Sequence, residues 1–152
     1  MTTIEELYHK YKLSSGVCID SRKIENQNIF FCIKGDSFDG HEFAEESLNK
    51  GANFVVVDNK QYFREEDPRY LLVANTLMSL QMIANYHRDK LNIPLIAITG
   101  TNGKTTSKEL INAVLSTRFK THATKGNFNN HIGLPLTILD MEEDADIAII
   151  EM

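Results

Sequence analysis

The sequence has no surplus of basic charge. Of 152 residues, 16 are Lys or Arg and 21 are Asp or Glu, giving a net charge of −5. This argues against a nucleic-acid binder, whose affinity rests on neutralising phosphates with cations. No apolar run approaches the roughly 20 residues of a membrane span. The N-terminal "MTTIEELYHKYKL" is charged and helix-like and holds no apolar signal-peptide core. The expectation is a cytoplasmic protein. Cysteine is scarce: Cys18 in "GVCID" and Cys32 in "FFCIK", each with apolar neighbours and without C-x-x-C spacing. Such cysteines behave as small buried hydrophobes, so neither a disulfide nor a metal role is expected. There are no internal repeats and no low-complexity tract. What is present is 42% hydrophobic and 24% charged, the balance of a soluble globular chain of one ordinary domain or two small ones.

Periodicity divides the chain near residues 88 to 93. Residues 3–12 read as a short helix with Ile4, Leu7, Tyr8 and Tyr11 on one face. "GVCID" and "NIFFCIK" read as strands and "GDSFDG" as a turn. "HEFAEESLNKGA" reads as a helix ended by Gly51, and "NFVVVD" and "YLLVAN" as further strands. In "TLMSLQMIANYHRDKLN", Leu77, Leu80, Met82, Ile83 and Tyr86 form a helical stripe that Thr76 can cap. The wholly apolar "IPLIAITG" then has the look of a central parallel strand. The remainder reads strand 95–99, helix 104–117, strand 119–123, helix 133–140 and strand 146–151. The expected class is α/β: a small mixed α/β N-terminal domain, residues 1–90, then the first βαβαβ half of a P-loop doubly wound parallel sheet, residues 91–152.

The chemistry concentrates in "ITGTNGKTT", residues 98 to 106. Between the strand and the helix lies Gly100-Thr101-Asn102-Gly103, followed by Lys104, Thr105 and Thr106. Backbone N–H groups in a Gly-rich turn at a helix N-terminus bind anions. Lys104 adds a point charge for β- and γ-phosphates, and Thr105 a hydroxyl suited to Mg²⁺. Yet the spacing departs from G-x-x-x-x-G-K-[ST], because Ile98 stands where the first glycine belongs.

Four other stretches stand out. Asp20-Ser21-Arg22 follows a strand; a hydroxyl and a guanidinium can grip phosphate, although alone the stretch reads as a solvated turn. Lys34, Asp36, Phe38, Asp39, Gly40 and His41 crowd another turn, which alone reads as an entry to a helix capped by Asp36 or Asp39. In "TKGNFNNHIGLP", Thr124, Asn127, Asn129 and Asn130 lie between strand and helix, where either an Asn-rich turn or a polar ligand site fits. Finally, "IAIIEM" carries Glu151 at the carboxyl end of an apolar strand, a place to hold Mg²⁺ beside a phosphate loop.

Together these motifs resemble the Mur ligase family, the ATP-dependent amide-forming enzymes of peptidoglycan synthesis. The family's loop reads T-G-T-N-G-K-T, as Thr99 to Thr105 do here, so the missing glycine becomes a family mark. F-D-G-H and N-x-N-N-x-I-G-x-P resemble the branch that adds D-alanyl-D-alanine to UDP-N-acetylmuramoyl-tripeptide. The resemblance covers about residue 18 to the last residue. It implies uridine-diphosphate contacts from Ser21, Arg22, Phe38, Asp39, Gly40 and His41. It implies further substrate contacts from Thr124, Asn127, Asn129 and Asn130. Gly100 to Thr106 would bind ATP, with Lys104 catalytic and Thr105 and Glu151 on Mg²⁺.

The resemblance also implies an acyl-phosphate mechanism and a monomeric, longer parent protein. On that reading the chain is an N-terminal fragment. It is expected to bind a UDP ligand weakly at best and not to turn over. The strand ending in Glu151 is expected to expose an apolar face or edge through which the fragment self-associates. The competing readings are a family member adding another amino acid, a non-catalytic UDP-sugar-binding module, and an unrelated P-loop NTPase.

Overall fold

In a computed structural model describing residues 1–35, 37–126 and 128–152, the apolar runs form two parallel sheets. The chain divides into two compact units, Met1–Ile83 and Ala84–Met152. The division falls inside a helix whose last residue is Leu91, whereas the sequence-based boundary at 90/91 sits at that helix's end. No helix among the described residues is long and apolar enough to cross a membrane.

The first unit begins with helix α1 (Ile4–Lys12), closed by a reciprocal capping box between Thr3 and Glu6 and burying Leu7 and Tyr11. Strands β1 (Val17–Cys18), β2 (Ile29–Phe31), β3 (Phe54–Val57) and β4 (Tyr70–Leu72) lie in sequence order, every pair parallel. Val17 pairs with Ile29, Ile29 with Phe54 and Val55 with Tyr70. One face of the sheet packs Phe30, Val55 and Val57 with Ala44 and Leu48 of helix α2 (Ala44–Asn49). Ile29, Phe31 and Val56, alternating with them, are equally buried. Burial on both faces explains why these strands read as unbroken apolar runs. Both cysteines are free and buried, and burial raises both thiol pKa values.

Two details differ from the sequence expectation. The helix expected over 41–52 starts as a 3₁₀ turn, Gly40–Phe43, and becomes α2 only at Ala44. Asp39 caps that turn by accepting from the His41 N–H at 3.0 Å, while Asp36 lies outside the described residues. Helix α3 (Thr76–Leu91) takes its side-chain cap from Asn75, whose Oδ1 accepts from the Met78 N–H. Thr76 is bonded elsewhere. Its buried stripe is Leu80, Ile83, Ala84 and His87, with Met82 exposed, because positions 80, 83/84 and 87 follow the helical period.

The second unit orders its strands β5 (Leu95–Ile98), β7 (Ile147–Glu151) and β6 (Thr121–Ala123), all parallel. Helix α4 (Lys104–Leu115) joins β5 to β6 and packs against all three strands. Helix α5 (Gly133–Leu139) contributes Leu134 and Ile138 to a cluster with Met141, Ala148 and Ile150. Strand β7 is therefore the middle strand, paired on both sides, with Ala148, Ile149, Ile150 and Glu151 buried. This corrects the expectation of an exposed face or edge there: β5 and β6 form the edges. Exposed apolar side chains lie instead on α4, at Leu110 and Val114.

Candidate functional site

The phosphate loop leaves β5 at Ile98 and enters α4 at Lys104. Gly103 occupies the N-cap position at φ +75°, a left-handed conformation that glycine adopts without strain. A Cβ there would meet nothing within 4 Å, so the requirement is conformational rather than steric. Thr101, Asn102, Thr105 and Thr106 are exposed, and the first-turn N–H groups of α4 open toward the loop as an anion site would need. Lys104 curls back over the loop, its Nζ donating to the Gly100 carbonyl at 2.7 Å. A phosphate entering the loop would compete for that ammonium.

Behind the loop stands Glu151. Alternation along β7 puts it on the same face as Ile149 and points it at α4. The Thr105 hydroxyl donates to its carboxylate, 3.0 Å from Oε2 and 3.3 Å from Oε1. Asn129 Nδ2 donates to Oε1 at 3.2 Å. The Glu151 N–H donates to Thr124 Oγ1 at 3.0 Å. The carboxylate is only 3% exposed. Thr105, Thr124, Asn129 and Glu151, spread over 47 positions of sequence, thus meet at one point. A hydroxyl and a carboxylate fit a hard cation such as Mg²⁺, which binds one or two protein oxygens and fills its shell with phosphate and water. Among the described residues no group of three or more His, Cys, Asp or Glu could hold a metal unaided.

Asn130 does a different job from Asn129. Its Oδ1 accepts from the Ile132 and Gly133 N–H groups at 3.0 and 2.7 Å and so starts α5. Asn127 lies outside the described residues.

One participant was not singled out in the sequence. Lys108, 2% exposed, sits one turn after Lys104 and donates to the Thr124 carbonyl at 2.6 Å, with Glu109 Oε1 at 3.0 Å. It ties α4 to the end of β6, where Thr124 meets Glu151. Its only sequence signal is the i, i+4 spacing from Lys104, which solvent-facing lysines share.

In the first unit, Ser21 is buried in a 3₁₀ turn (Ser21–Lys23) capped by Asp20, and Lys50 Nζ donates to its carbonyl at 2.9 Å. Arg22 projects from that turn, its side chain 85% exposed, and pairs with Asp20 through Nε and Nη2, both at 2.8 Å. The guanidinium holds the Asp20 carboxyl down to about 2. The second turn presents Phe38, 45% exposed and stacked on Phe43 with ring centroids 5.3 Å apart. Gly40 crosses so close to the chain leaving β2 that an added Cβ would meet Ile33 O at 2.8 Å.

His41 is 2% exposed and lies between Asp39 and Asp58. Burial works to raise the Asp39 carboxyl, but the hydrogen bonds from His41 and the nearby Lys34 charge outweigh it and leave the pKa lowered. Asp58 also escaped the sequence reading. The signal that marked Glu151, an apolar strand ending in a carboxylate, marks "FVVVD" equally.

The Mur ligase middle-domain family model matches residues 98–152, and the model described as the Mur ligase family catalytic domain matches residues 14–107. The UDP-N-acetylmuramoyl-tripeptide–D-alanyl-D-alanine ligase of Bacillus subtilis (strain 168) is 42% identical over 150 residues, covering 99% of this chain and 33% of the relative. The ligase of the same name from Synechocystis is 43% identical over 138 residues, or 91% of this chain and 30% of the relative. Among solved structures, MurF from Acinetobacter baumannii superposes with a TM-score of 0.85 at 28% identity, covering 99% of this chain and 35% of that one. MurF ligase from Thermotoga maritima in complex with ADP gives 0.80 at 30% identity, covering 92% and 32%. The chain spans about a third of the length of the curated relatives it matches. Two family patterns that together run from residue 14 to residue 152 leave one assignment: the chain belongs to the Mur ligase family.

Proposed function

We propose that the chain is the uridine-ligand-binding unit and part of the nucleotide-binding unit of an ATP-dependent ligase. That ligase joins D-alanyl-D-alanine to UDP-N-acetylmuramoyl-tripeptide in the cytoplasm. The observation that carries this reading is the convergence of Thr105, Asn129 and the buried Glu151 carboxylate behind the phosphate loop. It links the nucleotide loop directly to the Asn-rich segment assigned to substrate. The printed names of the relatives support the substrates, and the ADP complex of one structural neighbour supports the nucleotide.

A carboxylate does not form an amide at neutral pH, so the reaction must activate it. The γ-phosphoryl of ATP passes to the peptide carboxylate, giving an acyl phosphate and ADP. The D-alanyl-D-alanine amine then attacks the carbonyl, phosphate leaves, and the amine gives up its proton. Phosphoryl transfer of this kind depends on positioning and charge neutralisation. The loop N–H groups would hold the phosphate oxygens, and Lys104, released from the Gly100 carbonyl, would follow the γ-phosphate. Thr105 and Glu151 would hold Mg²⁺, which neutralises phosphate charge when bound. Thr124 and Asn129 would orient the substrate peptide beside Glu151. Ser21, Arg22 and the Phe38 turn would hold the uridine-diphosphate end.

The chain alone, given all three substrates, is expected to bind the UDP ligand weakly and to release no phosphate above background. Grafted in place of the matching third of the Bacillus subtilis ligase, it is expected to support phosphate release that depends on D-alanyl-D-alanine. Sustained turnover by the isolated chain would overturn the first expectation. A folded chimera that ignores the dipeptide and uses another amino acid would overturn the second.

A further inference from the structure

The first unit holds a chain of polar side chains in which His41 and Thr76 are buried and Asp39 and Asp58 partly exposed, and neither Asp58 nor Thr76 has a role above. His41, 2% exposed, stands at its centre. Its Nδ1 lies 2.6 Å from Asp39 Oδ1, and since an ionised carboxylate only accepts, Nδ1 carries the proton. Its Nε2 lies 3.2 Å from the Asp58 N–H and 3.0 Å from Asp58 Oδ1. Asp58 Oδ2 accepts from the Thr76 N–H at 2.8 Å. The Thr76 hydroxyl is 3.1 Å from both that oxygen and the Cys32 carbonyl. These contacts join the chain leaving β2, the carboxyl end of β3, the start of α3 and the 3₁₀ turn at Gly40. In a parallel sheet this is the end where ligands bind. Asn75 already caps α3, so the helix does not need the Thr76 hydroxyl.

We infer that Asp58 and Thr76 are positioning residues which, through His41 and Asp39, fix the turn that presents Phe38. The ligand presented to is a flat heterocycle carrying a diphosphate, and this part rests on the function proposed above; the fixing of the turn does not. A chain of hydrogen bonds can hold one geometry: Asp39 takes the His41 Nδ1 proton, the Asp58 N–H meets Nε2, and Asp58 Oδ2 meets Thr76. Loss of the Thr76 hydroxyl would leave the turn with the same sequence and a looser hold.

The chain contains no tryptophan, so Phe38→Trp supplies a single reporter on the turn. In that background Thr76→Val is expected to raise the acrylamide quenching constant about twofold, as a lost hydrogen bond loosens the turn. Thr76→Ser should stay at the parent value. With Phe38 intact, Thr76→Val is expected to weaken UDP binding by calorimetry about tenfold. ADP, whose proposed site lies in the other unit, is the control and should be unaffected. A folded Thr76→Val variant with unchanged quenching overturns the inference, as does an equal loss of UDP and ADP binding. If quenching rises but even the unaltered chain ignores UDP, the positioning stands and the uridine reading fails. Should Thr76→Val not fold, Asp58→Asn carries the same test. If neither folds, the network serves folding and the inference is wrong.

Discussion

Replacing Gly40 with alanine tests how tightly the first unit holds the turn that carries Phe38. The new Cβ would stand 2.8 Å from Ile33 O, 2.9 Å from Ile33 N and 3.0 Å from Cys32 C. All three are backbone atoms, and Cys32 is itself bonded to β3 through its N–H to the Val56 carbonyl at 3.0 Å. The strand end cannot swing aside, so the turn must retreat by several tenths of an ångström. That movement strains the Gly40 N–H to Ile33 carbonyl bond, now 3.0 Å, and pulls His41 from between its two aspartates. Overpacking of this kind costs about 2 kcal/mol, roughly a thirtyfold change in the folded-to-unfolded ratio. With a urea m-value of about 2 kcal/mol per molar, the midpoint should fall by about 1 M. Tyrosine fluorescence is a suitable probe, because Tyr8, Tyr11, Tyr62 and Tyr70 all lie in Met1–Ile83. Gly35→Ala, in the same turn, is the control: its Cβ would find nothing closer than 3.9 Å, and its midpoint should not move. Equal midpoints for the two variants would refute the close-approach argument.

Thr105→Val removes the hydroxyl that meets Glu151. It is expected to weaken ADP binding about tenfold in the presence of Mg²⁺ and little in EDTA, measured by calorimetry. An equal loss in both buffers would place Thr105 on phosphate rather than on the cation. His122, in β6, has Nε2 buried without a hydrogen-bond partner among the described residues, and burial lowers its pKa from 6.5. The unfolded chain therefore takes up this proton first as pH falls. The stability linked to His122 is complete above about pH 6.5 and is lost as pH drops toward the lower folded value. His122→Leu should flatten the pH dependence of the melting temperature in that window, and an unchanged slope would show that other groups set it.

Elements were legible wherever period and punctuation agreed. "NFVVVD", "YLLVAN" and "IAIIEM" are strands because both faces of a parallel sheet are buried, which leaves uninterrupted apolar runs. The turn from β5 into α4 was legible because two glycines between an apolar run and a helical stretch mark a tight strand-to-helix connection. What escaped depends on partners distant in sequence. Nothing local shows that β7 is inserted between β5 and β6, so its supposed edge proved to be the sheet's centre. Thr76 looked like a cap, yet Asn75 takes that role and Thr76 bonds Asp58, 18 residues earlier. Asn129 and Asn130 were indistinguishable in sequence, but one reaches Glu151 and the other starts α5. Lys108 was invisible because only the fold makes its position buried.

The central claim is that Thr99–Thr105 and Glu151 form a metal-assisted nucleotide site in this chain. Calorimetric titration of the unaltered chain with ADP, with Mg²⁺ and then in EDTA, tests it most directly. Saturable binding that weakens about tenfold when the metal is removed is the predicted result. No ADP binding, or the same affinity in both buffers, would contradict it.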